Sequence, residues 1–481
     1  MKLKKLICLA MAATTVFSMA ACGGMTGGNS DSISLDSGSG KTSVLKVEYL
    51  KAGYGTEVFD KLAEAFMEKY PEIQVVMYPN ENVNGDTETK LSSGKNIRDA
   101  YYVSYYASVR RWSVRGWVEP LTDVYNQEVQ DGKTVKEVLE DYTEDMCYLN
   151  DEYWALPQEM SIGGLIYNET MFKENGWEVP TTTKELEDLC NTIVKAKLKA
   201  PDKDKTTVKP FVYCGSGNDG YWNTILNTWW LQCSGAEAVE TFSKFESPEV
   251  YKDEGRLRAL ELLRKFAFNT DYILPNTQSK DANTAQLDFL MGKAAMIPCG
   301  SWFETEMQGD IGSEELPKFD FKMMATPVVS DANGNSIAKD KEVNYLWDGG
   351  SAVWFVPKAA ANKENAKKWI NFLASEESNS IWTQYTGATR PLEYDVSPSS
   401  DVYKNASTFS KSLLDLRNNT TAFKFITTHP VALASYVGTW PQQRSPFVSL
   451  YNGNSAAAYY ANDYDYVSSQ WETWKGLVGM K

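Results

Sequence analysis

Short runs alternating apolar and polar side chains are followed repeatedly by longer runs with apolar residues three and four apart. Val44-Leu45-Lys46-Val47-Glu48-Tyr49 alternates with a period of two, as a half-buried strand does. Residues 57–70 then set Val58, Leu62, Ala65, Phe66 and Met67 on one helical face, and Pro71 stops the helix. Ile73-Gln74-Val75-Val76-Met77-Tyr78 predicts the next strand. The same alternation recurs around helices expected at 182–196, 255–268 and 362–374, the last preceded by the apolar run Val353-Trp354-Phe355-Val356-Pro357. No internal repeat is found. Such alternation predicts a wound α/β architecture, with binding positions at the carboxyl ends of strands.

The N-terminus departs from this pattern. Lys2, Lys4 and Lys5 precede an apolar run over 6–21, and Cys22 follows Ala20-Ala21. A basic start, a short apolar stretch and small residues before a cut site predict an export signal at 1–21, too short to span a membrane. The cysteine makes the segment resemble a bacterial lipobox, which implies cleavage before Cys22 and lipidation of its sulfur. Residues 22–42 are rich in Gly and Ser with few apolar side chains, and predict a flexible tether.

The chain of 481 residues is long enough for two lobes. Its net charge of −15 becomes more negative once the leader lysines are removed. No basic patch occurs, which argues against nucleic acid and favours a neutral or cationic partner. His429 is the only histidine, and no phosphate-binding glycine loop or paired-cysteine motif is present. Neither a metal nor a cofactor is therefore expected, and most histidine-dependent catalysis is excluded. Cys147, Cys190, Cys214, Cys233 and Cys299 are irregularly spaced and read mainly as buried thiols, with a Cys214–Cys233 bridge open as an alternative.

Several segments, in order, resemble the family 1 extracellular solute-binding proteins of ABC importers. Leu62-Ala63-Glu64-Ala65-Phe66 with Tyr70-Pro71-Glu72-Ile73-Gln74-Val75 is similar to the family's first helix and second strand. Tyr153-Trp154-Ala155-Leu156-Pro157 and Gly163-Gly164-Leu165-Ile166-Tyr167-Asn168 look like its first crossing between lobes. Gly292-Lys293-Ala294-Ala295-Met296 with Gly300-Ser301-Trp302 resembles its core strand and binding-site tryptophan, and Gly349-Gly350-Ser351 continues the pattern. Arg98 stands where the family commonly has proline, and the match fades beyond Leu392. The resemblance implies two α/β lobes of the type II periplasmic-binding-protein fold closing over a ligand. It places lobe one at 43–158 plus 326–377 and lobe two at 159–325 plus 378–481. It further implies a monomer that delivers a carbohydrate, an oligosaccharide, to a membrane permease.

Aromatic residues make up 13% of the chain, and many fall in expected loops, where rigid rings suit the flat C–H faces of sugars. Trp302 is the leading candidate, through the resemblance. Tyr54 and Tyr105 follow expected strands, with Tyr106 as a rival to the second. Trp222 opens an expected helix, Trp347 and Asp348 precede the paired glycines, and Trp440 precedes a proline. Glu159 follows the first crossing and is expected to accept hydroxyl hydrogens. Two other readings stay open: a binder of a non-sugar polar or cationic solute, and an anchored glycan-cleaving enzyme using paired carboxylates.

Overall fold

The computed structural model describes residues 40–140, 143–216, 220–339, 346–347, 352–420, 423–424 and 446–477. The leader and Cys22 lie outside them. In chain order the principal strands are β1 (Ser43–Leu50), β2 (Ile73–Asn80), β3 (Ala100–Val103), β4 (Leu156–Pro157), β5 (Ile162–Asn168), β6 (Lys209–Phe211), β7 (Ala294–Gly300), β8 (Phe321–Met324), β9 (Leu346–Trp347), β10 (Val353–Phe355) and β11 (Phe423–Lys424). The principal helices are α1 (Glu57–Lys69), α2 (Val83–Ser93), α3 (Tyr106–Val114), α4 (Thr183–Ala196), α5 (Trp222–Ser234), α6 (Glu254–Ala267), α7 (Ala282–Leu290), α8 (Phe303–Glu306), α9 (Lys363–Leu373), α10 (Glu376–Thr386), α11 (Thr408–Asn419) and α12 (Ala456–Leu477).

Two sheets define two lobes. The first runs β2-β1-β3-β10-β4, with β1 parallel to β2 and β3, and β10 antiparallel to β3 and β4. The second runs β6-β7-β5-β9-β11, with β8 also paired to β5. The periodicity explains lobe one directly. Val58, Phe59, Leu62 and Phe66 of α1 are buried against β1 and β2, joined by Trp354, Trp369 and Phe372. In lobe two, Leu186, Leu189 and Ile193 of α4 and Trp229 of α5 fill the corresponding core. Both α4 and α9 lie within one residue of the spans that apolar spacing predicts.

The departure at Arg98 has a local reason. Its guanidinium lies 3.9 Å above the Tyr78 ring. Asp99 accepts the backbone N–H groups of Lys46 and Asn362, each at 2.9 Å, tying β1 to the start of α9.

Three segments cross between the lobes side by side. The Gln158 N–H donates to the Ala352 carbonyl at 3.0 Å, and the Met160 N–H to the Thr389 carbonyl at 2.8 Å. Arg390, fully buried, donates to the carbonyls of Leu373 at 2.7 Å and Pro157 at 3.3 Å. These carbonyls satisfy its Nη1 and Nη2 groups, which offsets part of the cost of burying a cation.

The expected lobe limits shift accordingly. β9 pairs with β5, and the Val328 N–H bonds to the Thr181 carbonyl, so 326–339 and 346–347 belong to lobe two. α10 packs on α1 and puts Trp382 in the first core, so 378–386 belongs to lobe one. Hydrogen-bonded partners distant in sequence fix these limits, and motif order does not reveal them. The described residues beyond 407 do return to lobe two. There α11 covers β8, and Asp463 of α12 pairs with Arg256 of α6 inside a ring of Trp230, Tyr251, Tyr459 and Tyr460.

All five described cysteines are buried free thiols, so no Cys214–Cys233 bridge forms. Among the described residues no helix is long and apolar enough to cross a membrane, and no three His, Cys, Asp or Glu side chains group as metal ligands.

Candidate functional site

The carboxyl ends of β1 and β3 face the end of β7 across the gap between lobes. There a cavity of about 180 Å³ is lined by Tyr54, Phe59, Tyr102 and Ser104 from lobe one, Glu159 from the crossing, and Trp302 and Glu306 from lobe two. Tyr54 follows β1 and is braced edge-on by Trp382, with ring centroids 5.0 Å apart. Tyr102, the last residue but one of β3, stacks on Trp354 at 5.2 Å.

Trp302 follows β7 directly, and its position depends on two glycines. A Cβ on Gly300 would collide with its six-membered ring, so the indole lies over bare backbone. A Cβ on Gly53 would stand 3.2 Å from the Trp302 Cβ, so the lobes meet closely here. Tyr221 supports the indole edge-on at 5.2 Å.

The lobes are also hydrogen-bonded to each other. The Tyr54 and Ser301 hydroxyls are 3.2 Å apart, and the Thr305 hydroxyl donates to the Thr386 carbonyl at 3.1 Å. Burial, and then the negative charge of Glu159, holds the Tyr54 and Tyr102 phenols well above their ordinary pKa. Both therefore stay protonated and can donate. The cavity thus combines aromatic surface, phenolic donors and carboxylate acceptors, the groups that hold a polyhydroxylated ring.

Of the residues expected at the site, Tyr54, Glu159 and Trp302 come together. Tyr105 lies beside Ser104 but is 56% exposed and does not line the cavity; its rival Tyr106 packs against the first core. Trp222 corrects the expectation: it is fully buried, edge-on to Phe211 at 5.2 Å. Tyr221 adopts a left-handed backbone (φ 61°) at the start of α5, and it is Tyr221 that touches Trp302. The backbone of Trp347 pairs with Ile162 in β5. Asp348, Trp440 and His429 lie outside the described residues. Sequence reasoning missed Tyr102, Ser104, Tyr221 and Glu306. Tyr102 and Ser104 had a usable signal, since they lie at the end of the strand that Tyr105 was expected to follow.

Two α/β lobes joined by three crossings, with aromatic and acidic side chains converging between them, define a two-lobed solute-binding protein. The family of bacterial extracellular solute-binding proteins matches residues 52–380, and the chain belongs to it. It is 23% identical over 398 residues to an uncharacterised ABC transporter extracellular-binding protein of Pyrococcus horikoshii, covering 81% of each chain. It is also 23% identical to the diacetylchitobiose binding protein NgcE of Streptomyces coelicolor, over 71% of this chain and 68% of that one. Among solved structures, the sugar-binding protein MalE of Xanthomonas citri superposes with a TM-score of 0.64 at 13% identity, covering 91% of this chain and all of that one. The raffinose complex of RafE gives 0.63 at 16% identity, over 88% and 98%.

Proposed function

We propose that this protein captures a carbohydrate between its lobes and delivers it to the permease of an ABC importer, acting by binding without turnover. The observation that carries this reading is the Trp302 indole lying over Gly300, opposite Tyr54, Tyr102 and Glu159. In it, Trp302 stacks on a sugar ring, while Tyr54 and Glu159 bond its hydroxyls. The cavity suits one ring, below the roughly 300–1,000 Å³ of pockets for larger ligands. An oligosaccharide therefore sets one residue there and extends outward. The names of relatives support this: one binds diacetylchitobiose, one is a multiple sugar-binding protein of Streptococcus mutans, and one neighbour holds raffinose. A lipid on Cys22 keeps the receptor, a monomer, at the extracytoplasmic face of the membrane.

The test is a thermal-shift screen of mono- and oligosaccharides with chromatography for cleavage products. A bound sugar raises the melting temperature according to its concentration relative to Kd, with no product formed. Trp302→Ala weakens binding by about 1–3 kcal/mol, as loss of an aromatic anchor does. A panel in which no sugar shifts melting, or in which fragments accumulate, refutes the reading.

A further inference from the structure

Among the described residues, the cleft lining carries ionic charge of one sign. Its described charged side chains are Glu159 and Glu306, and no lysine or arginine joins them. Arg390 lies behind the lining, its Nη1 and Nη2 groups committed to the Leu373 and Pro157 carbonyls and the Ser378 hydroxyl. The negative charge of Glu159 is among those acting on that guanidinium. Glu306 sits on the opposite lobe, four residues after Trp302. Its Oε2 accepts from the neutral Gln286 amide at 2.9 Å, and among the described residues no cation pairs with it. Trp302, Tyr54, Tyr102 and Phe59 line the same cavity, and aromatic faces attract cations as well as sugar C–H groups.

We propose that Glu306 sets the charge selectivity of the cleft, favouring a sugar that carries a protonated amine over its neutral counterpart and rejecting one that carries a carboxylate. The inference rests on the sugar-binding reading. Because Glu306 is exposed, water and salt screen its field. Attraction of one probe and repulsion of the other still separate amine from acid by about tenfold at low salt.

Calorimetry on the full chain tests this with chitosan, cello- and galacturonate oligosaccharides, and with putrescine as an amine that is not a sugar. Affinity should fall in the order amine, neutral, acid, and the spread should narrow with added salt. Glu306→Gln keeps an acceptor for Gln286 and should compress the amine-to-acid ratio several-fold. Glu261→Gln, an exposed acid on α6 outside the cleft, should leave it unchanged. Equal or tighter binding of the acid, or a ratio that Glu306→Gln does not move, overturns the proposal. Binding of neutral sugar without amino sugar overturns it while the sugar reading stands. Putrescine binding alone, weakened by Glu306→Gln, sinks the sugar reading and keeps the charge selectivity. Silence of both amine probes sinks the selectivity.

Discussion

The phenolic oxygen of Tyr54 in lobe one lies 3.2 Å from the hydroxyl oxygen of Ser301 in lobe two. This contact joins the chain after β1 to the chain after β7 and exists only while the lobes are together. Closure of a two-lobed protein is an equilibrium, and a contact present in one state alone biases it. Tyr54→Phe keeps the ring against Trp382 and removes the hydroxyl. A net hydrogen bond contributes about 0.5–1.5 kcal/mol, so the variant should populate the open form more and bind its sugar several-fold more weakly. Small-angle scattering should show a larger radius for the variant without ligand; identical curves would mean the contact does not bias closure.

Gly300 bears on the same site from beneath. Its missing side chain gives the Trp302 ring its place. Gly300→Ala should displace the indole and lower sugar affinity about as much as loss of Trp302 itself. Overpacking should also cost about 1–3 kcal/mol in stability. Tryptophan fluorescence and calorimetry on one sample check both effects. Wild-type affinity in this variant would show that the indole position is not set here.

Trp222 and Trp302 should respond oppositely to truncation. Trp222→Ala opens a cavity in the second core and should cost about 3–5 kcal/mol of stability, measurable by denaturant unfolding. Trp222→Phe, a milder change, should lower the melting temperature while leaving sugar affinity within twofold. A large affinity loss in that variant at unchanged stability would return Trp222 to the site.

Glu304 provides a pH signature. Burial raises its carboxyl above the ordinary value, while the Ser407 and Ser410 hydroxyls, at 2.6 and 3.2 Å from Oε2, pull it back. A folded-state pKa above the unfolded one means the native form holds the proton longer. The contribution of Glu304 to stability is therefore greatest below the unfolded value near 4.5 and is lost as pH rises through the folded value. Glu304→Gln should stabilise the protein at pH 7, with the advantage fading towards pH 4. An advantage independent of pH between 4 and 7 would refute the assignment.

The elements were more legible in the sequence than their grouping. Leu62 and Phe66 announce α1 because helical spacing is local, and Pro71 ends it within the same window. The passage of β9 into lobe two depends on its finding β5, a partner almost two hundred residues earlier, and no window of sequence contains that pairing. The site divides in the same way. Tyr54, Glu159 and Trp302 follow recognisable strands or crossings. Trp222 misled because a single left-handed residue, Tyr221, turns the chain so that adjacent rings face opposite environments. Glu306 has no signature of its own, since an exposed glutamate on a helical turn looks like any solvated carboxylate.

The triple crossing also bears on how the protein is made. The strand β10, which lies between β3 and β4 in the first sheet, is supplied from the far part of the sequence. Lobe one therefore lacks its middle until residues 353–355 arrive, and lobe two waits longer still for α11 and α12. Neither lobe can therefore complete its sheet and its cover before the far part of the sequence has been made.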